Sequence, residues 1–146
     1  MSGVEFGVLE ARDRLCVVAT TQGLDQFDLA SVVPIRTKEA TLGEVLDDIP
    51  LDSERYKTYE YLAVKEQRDI EQGKGFRRQL VTADSESVGT VGKGYAKSRS
   101  TEPFVSHPSV PKLSRLLTPT EHARVKGIPE DLIAGNSETT SHEILG

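Results

Sequence analysis

The chain has 146 residues, enough for one ordinary domain, and its 36% hydrophobic content without Trp and with 5% aromatics predicts a modest, aliphatic core. A single cysteine excludes an internal disulfide, and with neither a charged-then-apolar leader nor an apolar run near ~18 residues the expectation is a cytoplasmic chain without a membrane anchor. The net charge of −5 argues against a nucleic-acid binder until it is divided: from Lys74 to Lys126 ten cations (Lys74, Arg77, Arg78, Lys93, Lys97, Arg99, Lys112, Arg115, Arg124, Lys126) meet only Asp84, Glu86, Glu102 and Glu121, which gives +6 there and −11 elsewhere. One polyanion-facing surface and chance clustering both account for that asymmetry.

Near the N-terminus, Arg12 and Arg14 alternate with Asp13 ahead of an apolar run, Leu15 to Ala19. Unbroken apolar character over so few residues predicts a strand buried on both faces, with Cys16 as a small core thiol. No similar run follows, so the strand lacks a sheet of its own and is expected to pair with later segments or with a second chain. Val32 to Arg36, interrupted by Pro34, predicts an edge or irregular segment. Thr41 and Glu44 have capping-box spacing, and Leu42, Val45, Leu46 and Ile49 predict a short helix ending before Pro50. Asp52 or Ser53 is expected to cap a longer helix to about Gln72, with Lys65 and Asp69 as an exposed i,i+4 pair.

From Gly73 to Pro111 the composition turns to Gly, Ser, Lys, Arg and Thr, which predicts loops on a small β framework with strands at Phe76 to Thr82 and Val88 to Val91. Within it, Gly89 to Arg99 combines glycines, which admit a phosphate to backbone N–H groups, with the cations Lys93, Lys97 and Arg99. A mobile, merely soluble loop fits the same composition. The spacing of a nucleotide-binding P-loop is absent.

The most informative stretch is Ser114 to Leu132. Thr118 and Glu121 form a capping box, Pro119 takes the first helical position, Gly127 supplies a left-handed stop, and Pro129 prevents resumption. The helix lasts about two turns and needs tertiary contacts to persist. Glu130 to Ile133 predicts one further helical turn, and Thr140 with Glu143 a last capping box. Cys16 has no adjacent activating group, and His107, His122 and His142 lack metal-ligand spacing, so all three histidines are expected at the surface or in local bonds.

The order Arg115, Leu117, Thr118, Glu121, Ala123, Gly127, Pro129 resembles the ninth motif of the DNA (cytosine-5) methyltransferases. The run Glu10-Ala-Arg12-Asp-Arg14 ahead of the apolar stretch resembles their eighth motif, Q-x-R-x-R, with Glu10 in place of Gln. The resemblance implies an α+β fold class: a small mixed domain of short strands, short helices and long Gly/Ser/Lys-rich loops, itself a fragment of a larger α/β methyltransferase. It implies residues 1–34 as the end of the catalytic sheet, 35–111 as the target recognition region, and 112–146 as the ninth motif and the start of the tenth.

Function follows from the same resemblance. Arg12 and Arg14 fall where family arginines meet backbone phosphate and the O2 of an extruded cytosine; the alternative for them is surface ion pairing, for instance with Glu10. Thr90 and Val91 match a Thr-aliphatic pair near the flipped base, and Arg77, Arg78, Lys93, Lys97 and Arg99 are the remaining expected DNA contacts. Arg115, Thr118, Glu121, Gly127 and Pro129 are structural. Neither a Pro-Cys nor a Glu-Asn dipeptide occurs, so the nucleophile, the acid and the S-adenosylmethionine site belong to a missing N-terminal catalytic domain; the chain itself is expected to bind no cofactor and no metal, and to be inactive alone. The expected partners are double-stranded DNA, that missing domain, and a second copy through an exposed Leu15–Ala19 strand, in a restriction-modification setting. A stand-alone DNA-binding module derived from such an enzyme, or a protein-interaction module, is the alternative.

Overall fold

The computed structural model describes residues 1–146. Its elements are short: α1 Glu60–Glu71, β1 Gln79–Val81, β2 Pro103–Ser106, β3 Ser114–Arg115, α2 Pro119–Val125 and α3 Glu138–Leu145, with 3-10 turns at Leu29–Ser31, Leu42–Glu44, Tyr95–Lys97 and Glu130–Ile133. The three strands form one sheet in the order β1-β2-β3, β1 parallel to β2 and β2 antiparallel to β3. Leu9, Leu42, Val45, Val88, Val91, Tyr95, Val105, Leu117 and Val125 make the main core, and Ala123, Ile133 and Leu145 join α2, the last 3-10 turn and α3 in a second cluster. No helix is long and apolar enough to cross a membrane.

α2 forms where its local signals place it. Thr118 Oγ1 accepts from the Glu121 N–H at 3.1 Å, and Glu121 Oε2 accepts from the Thr118 N–H at 2.8 Å, so two otherwise unpaired donors are satisfied reciprocally. Pro119 opens the helix, Gly127 takes φ +64°, and the Ile128 N–H closes back on the Ala123 carbonyl at 2.9 Å.

Elsewhere tertiary bonds override local spacing. The helix expected after Thr41 is a single turn, because the Leu42 and Gly43 N–H groups donate to Ser85 and Ala83 and the Asp47 N–H donates to Glu121 Oε1. α1 starts at Glu60 instead of near Ser53, because Lys57 exchanges backbone bonds with Ser114. Lys65 and Asp69 do pair at 2.8 Å, with the aspartate buried and not exposed. β1 is shorter than expected, and Val88 to Val91 contributes a bridge to Glu10 instead of a strand. β2, which the loop-like composition hides, is mostly buried. α3 begins one turn before the Thr140 box, on Ser137, whose Oγ accepts from the Thr140 N–H at 3.2 Å.

The largest correction concerns Leu15 to Ala19. It is no strand: Leu15 is 92% and Val17 79% exposed, and Cys16 is exposed too. Val32 to Arg36 is irregular, as the interruption by Pro34 predicts, with Ile35 fully exposed. No residue between Glu10 and Leu42 is buried. The sheet has only three short strands, and Leu15 to Ala19 pairs with none of them, so its apolar side chains stay uncovered. A preformed strand for self-association is therefore absent.

Candidate nucleic-acid interface

Residues 1–3 and 12–14 run antiparallel, through the bridge between Ser2 and Asp13, the Gly3 N–H to Arg12 carbonyl bond at 3.0 Å, and the Arg14 N–H to Met1 carbonyl bond at 2.9 Å. Arg12 and Arg14 thereby share one cleft of about 280 Å³ with Met1, Ser2, Gly3, Phe6 and Glu10. Arg14 Nη1 donates to the Asp13 carbonyl at 2.8 Å. Arg12 Nη1 stands 4.0 Å from Glu10 Oε1, while its Nε is buried with no partner. The weak pair therefore leaves Arg12 with unspent donor capacity, as a residue awaiting an acceptor has.

The Gly89 to Arg99 loop meets this arginine segment directly. The Val88 N–H donates to the Leu9 carbonyl at 2.8 Å and the Ala11 N–H to the Val88 carbonyl at 2.7 Å. Thr90 is exposed and Val91 fully buried, so of this pair only the threonine side chain faces outward. Two of the loop's backbone amides are already used: the Val91 N–H donates to Glu10 Oε1 at 2.8 Å and the Gly92 N–H to Glu102 Oε2 at 3.1 Å. The loop also offers an anion its cationic side chains. Lys93, Lys97 and Arg99 are exposed and carry no ion pair within the chain.

Other cations are spent internally, which corrects the charge count. Arg115 and Glu121 are buried and joined by two bonds, Nη1 to Oε2 at 2.6 Å and Nη2 to Oε1 at 2.8 Å. Burial pulls the Arg115 pKa down, but the Glu121 carboxylate more than offsets it and the guanidinium is held charged. Arg124 bonds Asp47 at 2.7 Å and Glu130 at 2.6 Å, and Lys126 bonds Glu10 at 2.8 and 3.0 Å. Arg78 turns inward to Ser114 Oγ at 3.2 Å, with its guanidinium 6.0 Å from the Phe104 ring centroid. Arg77 remains exposed, held to the carbonyls of Phe76 and Lys74. Gly127 and Pro129 close α2 as expected.

Asp47 joins these parts. Burial raises its pKa, but hydrogen bonds from Thr118, Arg124 and Thr120 outweigh that and hold the carboxyl below its ordinary value. His107, His122 and His142 are all buried; His107 makes the local bonds expected, its Nδ1 accepting from the Ser109 and Val110 N–H groups at 3.0 Å, whereas for His122 and His142 the expectation of a surface or locally bonded ring is overturned. His122 and His142 stack at 5.2 Å with their Nδ1 atoms 2.9 Å apart, packed on Tyr95, so one ring must accept what the other donates. Burial, then the neighbouring His142, pushes His122 down to about 3; burial lowers His142 as well.

Comparison with known proteins adds the decisive observation: the sequence pattern of the C-5 cytosine-specific DNA methylases matches residues 2–146. The chain belongs to this family. It is 29% identical over 151 residues to the Type II methyltransferase M1.ScrFI of Lactococcus lactis subsp. cremoris, covering 97% of the methylase-family chain and 36% of that protein. Among solved structures it is similar to the S. pombe Dnmt2 methyltransferase (TM-score 0.69, 17% identity, 100% of this chain, 50% of that one) and to the Entamoeba histolytica methyltransferase EhMeth (TM-score 0.61, 19% identity, 100% of this chain, 46% of that one). Those two likenesses establish the fold. The chain spans about a third of the curated relative and about half of each structure, which agrees with its small sheet and uncovered apolar segment.

The residues present do not fit S-adenosylmethionine. The family's donor site needs a glycine-rich strand-to-helix turn, and the one strand that leads directly into a helix here, β3 into α2, does so through Leu116, Leu117 and Thr118 without a glycine. Sequence reasoning missed two contributors, Glu10 as a junction and Asp47 as a clamp. Both act on partners more than 70 residues away, a distance at which sequence spacing carries no signal.

Proposed function

We propose that this chain is the DNA-recognition portion of a DNA (cytosine-5) methyltransferase. It binds duplex DNA and positions a flipped cytosine for methyl transfer carried out by a catalytic domain outside its 146 residues, in the cytoplasm and in a restriction-modification setting. The observation that supports this reading is the junction of the Arg12–Arg14 cleft with the Thr90 turn and the end of α2. It brings together the parts that resemble the eighth motif, the recognition region and the ninth motif.

In this reading the target base must leave the stack before its ring is reachable. Arg12 and Arg14 then face the extruded pyrimidine and its phosphate, where guanidinium donors hold the negative charge that grows on the ring oxygen. Thr90 lies beside them, and Lys93, Lys97 and Arg99 neutralise backbone phosphate. The exposed Leu15, Val17 and Val18 are covered by the catalytic domain. The chain supplies neither thiolate nor methyl donor.

Methyl incorporation into duplex DNA with S-adenosylmethionine tests the division of labour. The chain alone is expected to transfer nothing, and the chain mixed with a separately produced catalytic half of a close relative to restore transfer. Turnover by the isolated chain would overturn the assignment.

A further inference from the structure

Glu10 stands where three segments remote in sequence cross. Its own N–H donates to the Val125 carbonyl at the end of α2, 3.0 Å away, while its neighbours Leu9 and Ala11 bond Val88. Its side chain is 7% exposed and accepts from the Val91 N–H at 2.8 Å and from Lys126 Nζ at 2.8 and 3.0 Å; the Lys126 side chain is as deeply buried. This is the position at which the methyltransferase motif has Gln. A glutamine oxygen can receive the Val91 N–H, but it leaves the ammonium unneutralised and turns an amide NH₂ toward it. A carboxylate serves both donors at once.

We infer that Glu10, charge-paired with Lys126, is a positioning residue that fixes the Thr90–Val91 turn beside the Arg12–Arg14 cleft. The inference rests on the DNA-recognition reading above. Val91 is buried and its amide is pinned by Glu10, while the next amide, of Gly92, is pinned by Glu102. Thr90 therefore leaves the core at a point set by a carboxylate that sits two residues before Arg12. Lys126 ties that carboxylate to the residue that ends α2, so the turn, the arginines and the helix share one register.

The experiment separates the hydrogen bond from the ion pair. In E10K/K126E the charge pair is reversed and the Val91 N–H loses its acceptor; in E10Q/K126Q the charges are gone and the acceptor stays. Amide hydrogen exchange at Val91 and duplex DNA binding by fluorescence anisotropy are measured on the 146-residue chain. The reversed pair is expected to exchange the Val91 amide about tenfold faster and to bind DNA about tenfold more weakly, the scale of one lost hydrogen bond. E10Q/K126Q is expected to rescue both to within about threefold of wild type. Wild-type behaviour of the reversed pair, or equal loss in E10Q/K126Q, overturns the inference. Should the reversed pair fail to fold, E10M/K126M, which also removes the acceptor, takes its place with the same two expectations. Absence of DNA binding by the wild-type chain would count against the recognition reading, and Val91 exchange in the same variants still decides the positioning role.

Discussion

Arg115 and Glu121 face each other in parallel, two guanidinium nitrogens on two carboxylate oxygens, with the arginine side chain 2% exposed and the glutamate fully buried. Glu121 at the same time accepts the N–H groups of Thr118 and Asp47, so every oxygen of the pair is occupied. Removing one partner leaves an uncompensated buried charge. R115A and E121A are each expected to lose about 3–5 kcal/mol in urea unfolding. R115K should recover only part of this, because an ammonium does not reproduce the bidentate fork.

The histidine pair makes stability fall with acid. His122 titrates at about 3 in the folded chain and near 6.5 unfolded. Its neutral form is favoured by folding, so its contribution is complete above about pH 6.5 and is lost progressively as pH falls toward 3. The lowered His142 acts in the same direction. Tyr95, Lys126, Glu138 and Arg55 are the other titratable groups acting on the pair. Unfolding free energy at pH 5 should be about 2 kcal/mol below that at pH 7 from His122 alone, in a range where Asp47 remains ionised. H122F should flatten that slope in denaturant titrations at the two pH values.

Gly127 carries φ +64°, and a Cβ there would stand 2.4 Å from Arg36 Nη1 and 2.8 Å from Val8 Cγ1. G127A combines left-handed strain with displacement of the Arg36 head group, and is expected to cost at least about 1 kcal/mol in thermal or urea unfolding.

Leu15 and Val17 make almost no use of the chain's own core. L15D/V17D should leave the stability of the isolated chain within about 0.5 kcal/mol of wild type. The same change is expected to abolish restoration of methyl transfer by an added catalytic half. A large loss of stability in the isolated chain would mean that the segment packs where the structure leaves it exposed.

α2 was legible because a capping box, a proline at the first position and a left-handed glycine are written within one short stretch. The Leu15 to Ala19 run misled for the opposite reason: apolar residues become a strand only beside other strands, and this run pairs with none of the three in the sheet. β2 escaped notice because its pairing with β1 joins Gln79 to Pro103 across a glycine-rich loop. His122 and His142 are buried by the packing of α2 on α3, which neither histidine's neighbours in sequence reveal. At the candidate interface Arg12, Arg14, Thr90, Lys93, Lys97 and Arg99 could be named from the sequence. That Arg124 is bound to Asp47 and Lys126 to Glu10 could not, since these carboxylates lie 77 and 116 residues from their cations.

The most direct test of the account is the salt dependence of duplex DNA binding by the 146-residue chain. Each phosphate neutralised contributes about −0.9 to the slope of log K against log salt. Binding that weakens steeply with salt is expected, with K93Q/K97Q/R99Q making the slope shallower by about 2.7. No binding at low salt, or a slope that the triple variant leaves unchanged, would contradict it.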